Sequence, residues 1–291
     1  MNRRALLAAA LALGTRPALA LTGRFTRGVL WRIAHADTSP SHLYGTIHDG
    51  DASVAALAAP ALVAFTHSRS LMVEFLPDAY SAERFTEAAM FADGRTLEEL
   101  IGADDFARVL EALAPIGLTR DVVNKLKPWG ALINLRQSGV SAAPGVDRTL
   151  LEQARVRRMR VQPMEDVEEQ IFSFDECPLA SQVALLKHSV AHRDELVQLA
   201  ERTRLAYVAR DLEAIWRLRE DYMARYPEVA EHQAILTKRL LYDRSVVMAY
   251  RMQRELRRGG AFAAIGALHL YGDKGVLALL EADGYRGSRV Y

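Results

Sequence analysis

Strand-forming residues fill Val29-Leu30-Trp31-Arg32-Ile33 and residues 41–47, and Thr38-Ser39-Pro40-Ser41 between them has the composition of a turn. These runs predict a β-hairpin with His48 at the end of its second strand. Residues 60–67 predict a short helix and residues 70–75 the next strand, which carries Glu74 at its end. A strand-helix-strand order implies a right-handed crossover with parallel neighbours. Apolar residues at three- and four-residue spacing then predict helices over 81–90, 97–101, 104–113, 119–135 and 146–155, with a strand around 159–162. From 169 to 258 the pattern is helical almost throughout. Pro178 and Pro227 punctuate it and Asp211 is placed to open a new helix, so a long helical hairpin packed over the sheet is expected. Residues 261–267 return to strand, 275–282 to helix and 286–291 to a last strand. The expected fold is α/β: a central mixed sheet built from both chain ends and a strand near the middle. Residues 21–291 form one domain, with a large helical insertion at about 80–260.

One local pattern occurs twice. Leu43-Tyr44-Gly45-Thr46-Ile47-His48 is matched by Ala264-Ile265-Gly266-Ala267-Leu268-His269, and Gly50-Asp51-x-x-Val54-x-x-Leu57 by Gly272-Asp273-x-x-Val276-x-x-Leu279. Each reads as a buried strand, a glycine-tightened turn that delivers an imidazole, and a helix capped by aspartate. In open α/β sheets the ligand crevice lies at the carboxyl ends of the strands. Two such histidines could therefore meet at one site. Glu74, between Leu71-Met72-Val73 and Phe75-Leu76, is expected to be half-buried, and a buried charge needs a partner or a metal. Two neutral nitrogens and a carboxylate form a set that divalent transition metals accept. Arg244, on a long helix, reads either as a surface ion pair or as a bidentate clamp for a substrate carbonyl or carboxylate. His188 and His192 share a helix face, but no third ligand is evident beside them.

Composition narrows the class. Half of the 291 residues are hydrophobic and a quarter charged, enough for a substantial core. A net charge of +1 argues against a nucleic-acid surface as the main business. Cys177 is the only cysteine, which rules out an intramolecular disulfide, and nothing around it suggests an activated thiol. At the N-terminus, Arg3-Arg4, the apolar run from Ala5 to Leu13 and Ala18-Leu19-Ala20 have the layout of a cleaved signal peptide over residues 1–20. Export to a periplasm and a mature chain starting near Leu21 are expected. No later stretch is long and uncharged enough to span a membrane.

The two Gly-x-x-His motifs, Glu74 on the strand after the first, and the closing stretch Ile265-Gly266-Ala267-Leu268-His269-Leu270-Tyr271-Gly272 with Gly284-Tyr285 resemble the TraB/GumN proteins, which include the Tiki proteases. Lys127-Pro128-Trp129, Gly145-Val146-Asp147 and Met164-Glu165 also resemble family positions. Where the family usually has Arg-Asn, this chain has Arg244-Ser245. The resemblance implies a fold of the erythromycin-esterase (EreA) and ChaN type. It also implies a metal-dependent hydrolase acting on peptides, with His48, Glu74 and His269 holding Mn, Co or Zn and Arg244 steadying the substrate. Two alternatives stand beside it: a metal-independent, esterase-like hydrolase with His48 as general base oriented by Glu74, and a non-catalytic envelope protein that binds a ligand or partner in the same crevice.

Overall fold

The computed structural model describes residues 24–137 and 145–291; the leader expected at residues 1–20 lies outside them. Six strands form one sheet: β1 (Leu30–Ala34), β2 (Ser41–Thr46), β3 (Ser70–Val73), β4 (Arg160–Pro163), β5 (Ala261–Gly266) and β6 (Arg286–Arg289), in the order β4-β3-β5-β2-β1-β6. The hairpin forms as expected, with Trp31 opposite Leu43, and β6 pairs antiparallel with the other edge of β1. β2, β5, β3 and β4 run parallel. The crossover from β2 to β3 does not make them neighbours, however. β5 slots between them, so that Ala264 pairs with Tyr44 on one side and Val73 on the other. Its sequence, Ala261-Phe262-Ala263-Ala264-Ile265, is apolar on both faces and buried throughout, as a strand covered on both sides requires.

Helices cover both faces. Phe65, on the helix Ala59–Thr66, meets Phe262 edge-to-face at 5.4 Å. The helix Arg244–Arg258 buries Met248, Met252 and Leu256 at four-residue spacing in the same core, and the helix Val276–Ala282 adds Val276, Leu277 and Leu280. A second core, built on Leu97, Phe106, Leu113, Val123 and Leu186, belongs to the insertion.

The insertion is not one long hairpin. Residues 167–258 divide into the helices Val167–Asp175, Leu179–Ala191, Arg193–Val208, Leu212–Arg225 and Pro227–Thr237, a π-helical turn Lys238–Asp243, and Arg244–Arg258. Pro178, Asp211 and Pro227 each stand at a boundary, and Asp211 accepts a hydrogen bond from the Ala214 amide as a cap. The break at His192 carries no proline or glycine to announce it. The helix expected over 119–135 also splits, into Arg120–Lys125 and Pro128–Gln137. Pro128 disfavours helical geometry in the residue before it, and Leu126 is already extended. Asp51 caps the helix Ala52–Ala55 as expected, but Asp273 caps nothing: its helix starts only after Gly275. Among the described residues no helix is long and apolar enough to cross a membrane.

Candidate active site

Because β2, β5, β3 and β4 are parallel, the residues that follow them leave the sheet along one edge. His48 follows β2, His269 follows β5, Glu74 follows β3 directly, and Glu165 comes two residues after β4. Glycine explains how two of these turns fit together. A Cβ on Gly45 would stand 2.7 Å from Leu270 Cδ1 and 2.9 Å from Ala267 Cα, so only glycine lets the end of β2 lie against the 3-10 turn Ala267–Leu270 that carries His269. A Cβ on Gly266 would meet Glu74 Oε1 at 3.3 Å and His269 Cδ2 at 3.5 Å, so carboxylate and imidazole both come close to the face that a side chain would occupy there. From the insertion, the Tyr207 hydroxyl donates to the Gly45 carbonyl at 2.8 Å and ties the helix Arg193–Val208 to the first turn.

At the centre is a buried ion cluster. Arg244 donates from Nη2 to Glu74 Oε2 at 2.7 Å and from Nε and Nη2 to Glu165 at 2.8 Å and 2.6 Å. All three side chains are largely buried, with Glu165 only 3% exposed. The expectation of a surface ion pair for Arg244 is thereby corrected. The other oxygen of Glu74 accepts from the Gly266 amide. Burial pushes the Glu74 carboxyl up, but His269, Arg244, His48 and the Gly266 amide together outweigh it and hold the group down at about 2. His269 is itself driven neutral, so the lasting part of that attraction is the permanent charge of Arg244 and, beside it, the charge of protonated His48.

The two histidines sit in opposite environments. His269 is buried, and burial pulls its pKa down to about 4 against the attraction of Glu74. Its Nδ1 lies 2.8 Å from Ser245 Oγ, and the Ser245 hydroxyl donates to the Leu241 carbonyl at 2.7 Å. With its own proton committed, Ser245 Oγ can only accept, so Nδ1 of His269 carries the proton and Nε2 is left with a free lone pair. Ser245 is the position where the resembled family has asparagine, and here a hydroxyl keeps a partner on the imidazole. His48 stands at the rim, its side chain 72% exposed, with Nδ1 donating to Asp147 at 3.1 Å. The bond and charge of Asp147 raise its pKa to about 9, against partial burial and Arg244. The carboxylate that orients His48 is therefore Asp147 and not Glu74.

His48, Glu74, His269 and Arg244 thus share one edge and act on one another's charge. Asp147, Glu165 and Ser245 join them. The first two lie in segments that already carried the family resemblance, whereas Ser245 had only its neighbour Arg244 to mark it. Glu165 and Arg244 also line a surface cleft with Arg239, Asp243 and Phe172. Lys127-Pro128-Trp129 lies elsewhere: Lys127 and the Trp129 indole both donate to Asp175 within the helical layer. Cys177 is buried, which raises its pKa and keeps it a thiol. His188 bonds the Tyr222 hydroxyl at 2.8 Å and packs on His192.

For a metal, the donor chemistry fits: each imidazole has Nδ1 engaged, which leaves Nε2 as the ligating atom, free on His269 and freed on His48 once its proton is lost. The spacing is not closed around an ion. Among the described residues no group of three or more His, Cys, Asp or Glu stands ready to hold one, and Glu74 is committed to Arg244 and Gly266.

Comparison with known proteins returns no matching curated protein and no matching solved structure. The TraB/PrgY/gumN family matches residues 29–289, from the first strand of the sheet to the last and across both Gly-x-x-His turns. The chain belongs to the TraB/PrgY/gumN family.

Proposed function

We propose that the chain is an exported hydrolase that cleaves carbonyl-type bonds, peptide bonds first among them, at the strand-end edge. The observation that carries this reading is the opposed state of its two matching histidines. Where environments push two titratable groups apart, the low one serves as base and the high one as acid. His269, neutral and with Nε2 unprotonated, accepts the proton of an attacking water. His48, protonated at neutral pH and steadied by Asp147, gives its Nε2 proton to the leaving amine or alkoxide. Arg244 keeps Glu74 ionised and fixes both Glu74 and Glu165 in place, so that the carboxylates shape the edge without drifting into the reaction. His48 thus takes the acid role rather than that of general base.

A second reading rests on the Nε2 atoms, neither of which has a protein partner: His48, having lost its proton, and His269, with Glu74, would hold Mn, Co or Zn, which would supply Lewis acidity at the substrate carbonyl. The two readings separate in one experiment. Residues 21–291 are freed of metal with chelator and assayed by mass spectrometry on a panel of peptides and aryl esters, before and after Mn, Co or Zn is restored. Chelator-resistant turnover that is lost in His48→Ala and His269→Ala supports the acid-base pair. Turnover that returns only with a metal supports the ion. No turnover on any probe under either condition leaves a ligand- or partner-binding protein and removes the hydrolase.

Export is part of the same reading, because Ala18-Leu19-Ala20 is placed for cleavage. Intact mass of protein recovered from the envelope should correspond to a chain beginning near Leu21. An uncleaved form in the cytosol contradicts it.

A further inference from the structure

Both imidazoles lie beyond the ends of their strands, so the sheet alone does not fix their spacing. His48 stands past Thr46, the last residue of β2, and His269 past Gly266, the last of β5. One pair of helices from the insertion touches both turns. The helices Arg193–Val208 and Leu212–Arg225 pack on each other and are joined only by Ala209-Arg210-Asp211, which makes them antiparallel neighbours.

The first helix grips the first turn on both sides of its imidazole. Before His48, the Tyr207 hydroxyl donates to the Gly45 carbonyl at 2.8 Å. After it, Arg204 reaches two carboxylates, with Nη1 2.5 Å from Asp51 Oδ2 and Nε 3.8 Å from Asp49 Oδ2. Arg204 and Tyr207 are spaced to share one face of that helix. The two aspartates are themselves joined, because the Asp51 amide donates to Asp49 Oδ1 at 2.8 Å. Glu201 pairs with Arg204 from its own helix, so the guanidinium belongs to a network rather than to an isolated surface pair.

The second helix meets the second turn. Trp216 stacks on Tyr271, with ring centroids 5.6 Å apart and planes at 27°. Tyr271 directly follows the 3-10 turn Ala267–Leu270 that presents His269. The joint between the helices is pinned as well. The Arg210 carbonyl accepts from the Gly28 amide at 2.8 Å, Asp211 pairs with Arg27 at 2.6 Å, and the Glu213 amide donates to the Thr26 carbonyl at 3.0 Å. The joined end is thus fixed to the segment that enters β1, and each arm holds one histidine turn. Groups that exchange protons with one substrate must be held to within about 0.5 Å of the productive geometry.

We propose that this helix pair is a brace that sets the spacing of the two histidines. Arg204 and Tyr207 are positioning residues for the turn that carries His48, and Trp216 for the turn that carries His269. The role assigned to the brace rests on the hydrolytic reading above, but amide exchange tests its geometry without turnover, so the two can fail separately.

Hydrogen exchange followed by mass spectrometry on residues 21–291 reports the two turns in separate peptides. Arg204→Gln should speed exchange over residues 46–54 at least tenfold and leave residues 266–272 and the core strands within twofold. Trp216→Leu should do the reverse. Arg204→Lys, which keeps a cation beside Asp51, should regain most of the protection. Glu201→Gln, which removes only the partner on the same helix, should exchange as the wild type does. Tyr207→Phe loses one donated bond and should loosen residues 43–48, a smaller change that serves if Arg204→Gln does not fold. On a peptide or ester that the wild type cleaves, Arg204→Gln and Trp216→Leu should lower kcat at least tenfold with KM within twofold, and Arg204→Lys should recover most of it. Unchanged exchange in the first turn of both Arg204→Gln and Tyr207→Phe would overturn the brace. So would faster exchange throughout the core strands, or a loosened turn with wild-type kcat. The expected exchange pattern without turnover by the wild type on any probe would retain the brace and count against the hydrolase.

Discussion

Arg244 lies between Glu74 and Glu165, and its removal would leave two buried carboxylates without their cation. Breaking a buried pair from one side costs roughly 3–5 kcal/mol, far more than the pair contributes relative to an apolar replacement. Arg244→Ala should therefore lower stability by about that amount in urea unfolding, whatever it does to turnover. The double variant Glu74→Gln with Glu165→Gln should soften the loss, because the groups left behind then carry no charge. The histidine and carboxylate shifts also fix the acid response. His269 has a folded pKa of about 4 against an ordinary 6.5, so below 6.5 the unfolded chain takes up the proton that the folded one refuses. The His269 contribution is complete above pH 6.5 and is lost from there towards pH 4. Glu74, held at about 2 against 4.5, continues the loss between those two values. Metal-free protein should show midpoints falling progressively as pH is lowered from 7 to 3, and His269→Asn should flatten the upper part of that curve. A flat midpoint from 7 to 4 would mean that His269 is not held neutral by burial.

At the scale of elements, each Gly-x-x-His unit is a strand, a turn and a ring delivered at the turn's end. The first glycine is there for close approach: Gly45→Ala drives a methyl into Ala267 and Leu270, which can yield only by shifting the turn that carries His269. Overpacking of this kind costs about 1–3 kcal/mol. The variant should lose that much in thermal or urea unfolding, and its activity should fall further than the stability loss explains. A Gly45→Ala protein with unchanged stability would show that the two turns are not pressed together. The π-helical turn Lys238–Asp243 acts from the other side, placing Leu241, Arg244 and Ser245 where their groups meet His269 and Glu74. Sequence periodicity showed the strands and the helix ends at Pro178, Asp211 and Pro227, because proline and capping residues act locally. It did not show the break at His192, the π turn or the place of β5. Those depend on contacts made by residues far away, and β5 enters the sheet between strands that lie roughly two hundred positions upstream.

Across the whole molecule, one edge is assembled from the beginning, the middle and the end of the chain. The repeated motif made His48 and His269 legible, and the apolar run before Glu74 made its burial legible. Asp147, Glu165 and Ser245 come from three separate elements, and their roles rest on pairing that no spacing rule encodes. The motif also left open how two like residues differ in protonation. Only their surroundings decide that: a rim position beside Asp147 for one, and burial against Ser245 for the other. The most direct measurement is a titration of the imidazole nitrogens by NMR in protein labelled with 15N-histidine, assigned with His48→Ala and His269→Ala. His48 should remain doubly protonated through neutral pH and lose its proton well above 6.5, towards about 9. His269 should stay neutral down to about 4, in the Nδ1–H form, with that preference weakened in Ser245→Ala. Two histidines that both titrate near 6.5, or a His269 protonated at Nε2 instead, would contradict the division into acid and base.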